Sequence, residues 1–551
     1  MRRILLLGIS LTLAACGGPR YDVVIRHGTV YDGSGQPGVV ADVGIRGDSI
    51  VAVGDLSRAK GKEEVDATGL AVAPGFINML SWAPEALLID GRSQSDLRQG
   101  VTLEVFGEGE SMGPWSDSMK AEAKAAQGDI RYDITWTTLG EYLDTVVKKG
   151  IATNVASFVG AATVRQHVLG HAARPATPEE LAQMVALVRQ AMGEGALGVG
   201  SSLIYEPGMF ATTEELVALA EAAGDSGGMY ISHIRNENDS LLDAAAEFVD
   251  IVRRSGARGE VYHLKAAGRD NWGKLDSLLA LLEAARAEGL KVTADMYSYP
   301  ASSTGLDAIM PGWVREGGYE AWRARLLNPA DRRKLLSYWR ERGGAFRGPG
   351  GPEGVLLVDF KNDSLKKYTG KRLSEVAALR GTTPEETAMD LVAQDGSRVG
   401  CVYFTMLEDN LRKEVVLPWM AFSSDASSIA PEGVFLRSNP HPRTYGSFAR
   451  VLAKYVREEK LVPLEEAIRR LSAFPAENLG LARRGQLVPG YFADVVVFDP
   501  ATIQDHATFD APHQYATGVT QVFVNGTRVI RDGEHTGAMP GRAVRRARTG
   551  S

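Results

Sequence analysis

Eight short apolar runs, each leading into a stretch of helical periodicity, constrain this 551-residue chain more than any other feature. They fall at residues 71–79, 101–106, 153–159, 196–201, 229–234, 260–264, 291–297 and 420–425. Strands alternating with helices build parallel sheets covered on both faces, and eight repeats of that unit predict an α/β fold of the TIM-like (β/α)8 barrel kind. Helix starts agree with the pattern. Thr177-Pro178-Glu179-Glu180 reads as a cap with proline in the first turn, and Thr212-Thr213-Glu214-Glu215 as another cap.

The two chain ends carry a different pattern. From Tyr21 to Asp66, short β-type runs (Val23 to Ile25, Val43 to Ile45, Ile50 to Val53) alternate with turns such as Asp32-Gly33-Ser34-Gly35. A matching signature returns in Ala493 to Phe498 and in Val522 to Ile530, the latter interrupted by the hairpin pair Asn525-Gly526. The ends are expected to pair into one small composite β-sandwich, built from residues 16–70 and 485–551 around a barrel at 71–484. The gap between the seventh and eighth runs is much longer than the others. It predicts an insertion at about 301–419 with its own strand (Val355 to Val358) and helix (Pro384 to Val392), placed as a lid. The basic segment after Arg542 reads as a frayed tail.

Composition excludes one class of partner, because a net charge of −7 offers no basic field for nucleic acid. The first residues are compositionally distinct. Arg2 and Arg3 precede an apolar run from Ile4 to Leu13 that is too short to span a bilayer and ends in Leu13-Ala14-Ala15-Cys16. This resembles a bacterial lipoprotein signal: residues 1–15 are removed, Cys16 carries the lipid, and the absence of aspartate after it implies the periplasmic face of the outer membrane. Membrane association then runs only through that lipid. Cys401 is the one other cysteine, so no intramolecular disulfide is available. It sits in the apolar run Val399 to Phe404 and reads as a small buried hydrophobe.

Barrel enzymes place their chemistry where strands end, so the polar residues at those points are the candidates. The second run is followed by Gly107-Glu108-Gly109-Glu110, the fifth ends in Ser232-His233, the sixth in Tyr262-His263-Leu264-Lys265, and the eighth in Ser423-Ser424-Asp425. Two imidazoles and two carboxylates at one barrel mouth suit zinc, which takes nitrogen and oxygen ligands and can keep a position open for water. Of the nine histidines the other seven fall mainly in loops, helix starts or the β unit. Whether Glu108 or Glu110 is the third ligand stays open.

Over nearly its whole mature length the chain resembles the D-aminoacylase (N-acyl-D-amino-acid deacylase) family of the amidohydrolase superfamily. The stretches that carry the resemblance include Ala73-Pro74-Gly75-Phe76-Ile77-Asn78, Gln99-Gly100-Val101-Thr102, Tyr205-Glu206-Pro207-Gly208-Met209-Phe210, Asp295-Met296-Tyr297-Ser298-Tyr299-Pro300, Ser423-Ser424-Asp425, His441-Pro442-Arg443 and Gly485 to Asp494. The resemblance implies hydrolysis of an N-acyl amino acid or of a dipeptide with a C-terminal D residue. It further implies that His233 and His263 are metal ligands, that Asp425 is the catalytic acid/base, and that Lys265, Tyr297 and Arg443 bind a substrate carboxylate. Two departures stand out. Leu80 and Trp82 replace a His-x-His pair, and Gly109 stands where the family has a cysteine ligand. Together they predict a single zinc on Glu108, His233 and His263. Cyclic-amide hydrolysis or deamination on the same scaffold, and a barrel that binds without catalysis, are the rival expectations.

Overall fold

The computed structural model describes residues 20–348 and 350–546. The expected lipoprotein signal and Cys16 lie outside the described residues. Strands β1 (Arg20–Val30), β2 (Val39–Arg46), β3 (Ser49–Gly54), β4 (Lys60–Asp66) and β5 (Ala71–Pro74) come first. The apolar run 71–79 is divided: Pro74 ends β5, Gly75 follows, and β6 (Phe76–Asn78) belongs to a different sheet. A Cβ on Gly75 would lie 2.2 Å from the Thr102 hydroxyl, so the chain crosses between sheets at a point where only glycine fits.

The site is carried by β6, β7 (Val101–Phe106), β8 (Asn154–Ser157), β9 (Val159–Gly160), β10 (Gly198–Ser202), β11 (Met229–His233), β12 (Arg258–Val261) and β13 (Val292–Met296). After β14 (Ser302–Gly305), β15 (Val355–Asp359) and β16 (Gly400–Tyr403), the chain returns to that layer in β17 (Met420–Phe422). These strands form two parallel arcs, β6-β7-β8 and β17-β13-β12-β11-β10-β9. Only Phe158 separates β8 from β9. At the other junction the Met79 N–H donates to the Phe422 carbonyl (3.3 Å), the Asp425 N–H to Leu80 (2.9 Å), and Ser81 pairs in parallel with Ala426.

The helices cover the arcs as their periodicity requires. In Leu241–Ser255 the buried residues Leu241, Ala244, Ala245, Phe248, Val249, Ile251 and Val252 follow the three-four spacing of one helix face. A large side chain buried in this way contributes about 1.5–3 kcal/mol by leaving water. Thr177 closes a capping box with Glu180, and the Thr212 hydroxyl accepts from the Glu215 N–H, as the sequence predicts.

The end strands β18 (Val495–Phe498), β19 (Val519–Val524), β20 (Thr527–Arg531) and β21 (Glu534–His535) join β1–β5 in one nine-stranded sheet, with β18 antiparallel to β5. Long β1 bends at a bulge, so its first half pairs with β4 and its last residues with β5. Between β13 and β17 the insertion forms an antiparallel sheet, β14-β16-β15, over its own apolar cluster. It contains the strand at Val355 and the helix from Pro384, and Cys401 is buried in it.

The tail corrects an expectation. The Val544 N–H donates to the Val155 carbonyl (2.7 Å), the Val155 N–H to Arg542 (2.9 Å), and the Arg546 N–H to Gly195 (3.1 Å). The segment is therefore docked through Arg546. Its backbone groups find partners beside β8 that a charge count does not reveal.

Candidate active site

Glu108 leaves the end of β7 between two glycines with positive φ, Gly107 at +109° and Gly109 at +72°. A Cβ on Gly107 would lie 2.5 Å from the Phe158 carbonyl oxygen, and one on Gly109 would lie 2.6 Å from the Ser202 side chain. The loop is thus pressed against its neighbours, and that turns Glu108 inward. Glu108 is 3% exposed, whereas Glu110 is exposed to the cleft. Of the two acids, Glu108 is the one that joins the histidines: Glu108, His233 and His263 bring one ligand-capable atom each to within 4.8 Å of one another, and all three are buried.

Within this trio Glu108 Oε1 lies 2.7 Å from His233 Nδ1 and 3.0 Å from His263 Nε2. Burial opposes ionisation of Glu108, but His263 and His233 outweigh it and hold the carboxyl well below the usual range. Burial and the Lys265 ammonium work against a proton on His263. Glu108 and Asp425 prevail, and its pKa is raised to about 10. The trio therefore gathers negative charge and a tightly held proton at one buried point, where a divalent cation could take the proton's place. Two imidazole nitrogens and a carboxylate oxygen are donors that fit zinc. His263 and Asp425 both sit in the left-handed region, at φ +34° and +48°. Such backbone costs about 1–2 kcal/mol per residue and persists where its surroundings fix it.

Those surroundings include residues to which the sequence assigned no role. Asp295 Oδ1 accepts the His263 N–H (3.0 Å) and the Ser423 hydroxyl (2.6 Å), tying β13 to both the β12 and β17 ends. Asn78 accepts the Ser424 N–H (2.9 Å) and donates to the Ser424 hydroxyl (2.8 Å), pinning the turn that carries Asp425. Glu237 Oε1 takes the Lys265 ammonium at 2.6 Å, and Lys265 also lies 2.8 Å from His263 Nδ1. Lys265, expected in the carboxylate clamp, lines one cavity with Tyr297 and Arg443 and is paired there with Glu237 and the histidine. Buried charges require partners, and the Asp295-Met296-Tyr297 stretch held the one signal from which Asp295 could have been found.

Asp425 stands beside the trio. Its Oδ2 lies 2.7 Å from Arg443 Nη1, and its Oδ1 accepts from the Trp82 indole at 3.0 Å. That same indole N–H lies 3.1 Å from Glu108 Oε2. The Arg443 guanidinium sits 4.5 Å over the Tyr297 ring. Asp425, Arg443, Tyr297 and the trio line a cavity of about 310 Å³. A second cavity of about 520 Å³, walled by Phe106, Met112, Trp115 and Tyr132, shares Trp82, Glu108 and Glu110 with it but not Arg443.

Comparison with known proteins shows the family. The amidohydrolase family profile matches residues 370–530. The chain is 34% identical to the D-aminoacylase of Alcaligenes xylosoxydans xylosoxydans over 530 residues, which is 96% of this chain and 98% of that protein. A D-aminoacylase structure, studied for a binuclear metal centre with one-metal activation and second-metal attenuation, superposes with a TM-score of 0.79 at 32% identity, covering 96% of this chain and all of that one. The N-acyl-D-glutamate deacylase of Bordetella bronchiseptica, solved with zinc and a phosphonate mimic of the tetrahedral intermediate, gives a TM-score of 0.78 at 31% identity, with 96% and 100% covered. With that coverage and the buried Glu108–His233–His263 cluster beside Asp425, the chain belongs to the D-aminoacylase family of amidohydrolases.

Proposed function

We propose that this protein hydrolyses the amide bond of an N-acyl-D-amino acid, or of a dipeptide ending in a D residue, with one zinc ion held by Glu108, His233 and His263. The observation that carries the reading is the adjacency of that trio to Asp425, with Arg443 Nη1 at 2.7 Å from the Asp425 carboxylate. The D configuration is supported by the substrates named for the relatives. When bound, zinc supplies Lewis acidity toward the scissile carbonyl and toward water.

The chain's own groups do the rest. Arg443, stacked on Tyr297, takes the substrate carboxylate, which competes with Asp425 Oδ2 for the guanidinium. Asp425 then accepts a proton from the attacking water and delivers it to the leaving amine nitrogen, acting as general base and then as general acid. Lys265, paired with Glu237 and beside His263 Nδ1, adds its positive charge to the wall of the same cavity as Arg443. The larger cavity, which Arg443 does not reach, receives the acyl group.

The two arcs are best taken as one eight-stranded barrel, a reading supported by the hydrogen bonds from Met79 and Asp425 across the first and last runs. Residues 71–484 then form the barrel with its lid-like insertion. An N-terminal lipid on Cys16, read from Leu13-Ala14-Ala15-Cys16, would hold the enzyme on the periplasmic face of the outer membrane.

A paired screen of N-acyl-D- and N-acyl-L-amino acids tests the reaction, with turnover expected for the D series. In the same assay Asp425→Asn should retain zinc and lose turnover, and His233→Ala should lose zinc. Near-normal activity in the asparagine variant, or full zinc in the alanine variant, refutes these roles.

A further inference from the structure

The Trp82 indole does more than replace a ligand that is absent. Its single N–H faces two carboxylate oxygens, Glu108 Oε2 at 3.1 Å and Asp425 Oδ1 at 3.0 Å. Two anionic oxygens drawn to one point repel each other unless something positive lies between them, and in a partly buried cleft that repulsion is weakly screened. Here the positive end of an N–H dipole lies between them, while Arg443 serves the other oxygen of Asp425. The Trp82 backbone is tied to the same turn, because its N–H donates to the Ala426 carbonyl at 2.9 Å beside Asp425. The exposed surface of Trp82 lines both cavities.

We propose that Trp82 is a positioning residue that stands in for a second cation: it bridges Glu108 and Asp425, aims the Asp425 carboxylate, and denies the site a second metal ion. This rests on the reading of Glu108, His233 and His263 as the holder of one ion. The indole nitrogen has no free lone pair, since its pair belongs to the ring, so it can donate to both acids but cannot coordinate. Leu80, two residues earlier, offers no donor atom either. A histidine at 82 would reverse the polarity. Imidazole Nε2 occupies the same place in its five-membered ring as indole Nε1, so Trp82→His would offer a lone pair where an N–H now points. Together with Glu108 Oε2 and Asp425 Oδ1 it would complete a second ligand set.

The test is zinc stoichiometry by equilibrium dialysis and elemental analysis, at equimolar zinc and at large molar excess, on wild type, Trp82→His and Trp82→Phe. Wild type should bind one equivalent under both conditions, and Trp82→His should take a second at excess. Trp82→Phe keeps the ring and loses the N–H. It should stay at one equivalent, with kcat lowered about tenfold and KM largely unchanged, because a charge-assisted hydrogen bond to the base is gone while the carboxylate clamp remains. Circular dichroism establishes folding of each variant. One equivalent on Trp82→His at excess zinc, or a second on wild type, overturns the role of Trp82. No zinc on wild type overturns instead the reading of the trio. Should the histidine variant not fold, Trp82→Phe decides, since a wild-type kcat there overturns the positioning role.

Discussion

Arg443 offers the sharpest perturbation, because its two jobs can be separated by the choice of substrate. The side chain is 5% exposed, sits 2.7 Å from Asp425 Oδ2 and stacks over Tyr297, so the guanidinium is already desolvated and oriented before substrate arrives. A charge-assisted hydrogen bond from such a guanidinium to a substrate carboxylate contributes about 1.5–3 kcal/mol, which corresponds to about a 10- to 100-fold effect. Arg443→Ala also leaves Asp425 without its cation, a loss that the ester feels as well as the acid. The part specific to carboxylate recognition appears in a ratio. For an N-acyl-D-amino acid and its methyl ester, kcat/KM for the acid relative to the ester should fall about 10- to 100-fold in the variant. Arg443→Lys should restore part of this ratio, since it keeps the charge and loses the planar fork. The assay is steady-state release of the free amino acid or its ester at matched zinc. Equal losses on acid and ester would refute the clamp and leave Arg443 as a partner of Asp425 alone.

Three further outcomes follow from geometry. Gly109→Cys restores the family's ligand type, but it puts a Cβ 2.6 Å from the Ser202 side chain at φ +72°, so denaturant unfolding should show a loss of about 1–3 kcal/mol with no gain in bound zinc. An unchanged midpoint would refute the crowding. His171 bridges Glu206 (2.8 Å) and Glu122 (2.9 Å), and its pKa is raised from 6.5 to about 9, chiefly by Glu206 with Glu122 adding and burial opposing. A folded-state pKa above the unfolded one stabilises fully below pH 6.5, and the contribution is lost as pH rises through about 9; discounted for the half-exposed Glu122, it is about 1–2 kcal/mol. Wild type should lose that stability across the window and His171→Gln should not. Finally, Met112→Trp narrows the 520 Å³ cavity and should depress hydrolysis of long-acyl substrates more than of N-acetyl ones. Equal effects would place the acyl group elsewhere.

Much of this site was legible because strand ends are readable. His233, His263 and Asp425 each close an apolar run, and the structure brings all three together. What the sequence left open depended on direction rather than identity. Glu108 and Glu110 flank Gly109 symmetrically in the chain, and only the positive φ of Gly107 and Gly109 turns one inward. Trp82 was read for what it cannot do, which is ligate, so its bridging N–H went unseen. The family resemblance implies a substrate contact for Lys265 and gives no sign of an anion within the chain for it. Here Glu237, four residues after His233, supplies one. The docking of residues 542–546 against Val155 and Gly195 is long-range backbone pairing that composition does not encode.

The central claim, a deacylase dependent on one metal ion at Glu108, His233 and His263, is tested most directly by titrating zinc into chelator-stripped protein while following hydrolysis of an N-acyl-D-amino acid. The stripped protein should show no turnover, with activity then rising linearly to a break at one equivalent per chain. Full activity without metal, or a break at two equivalents, would contradict it.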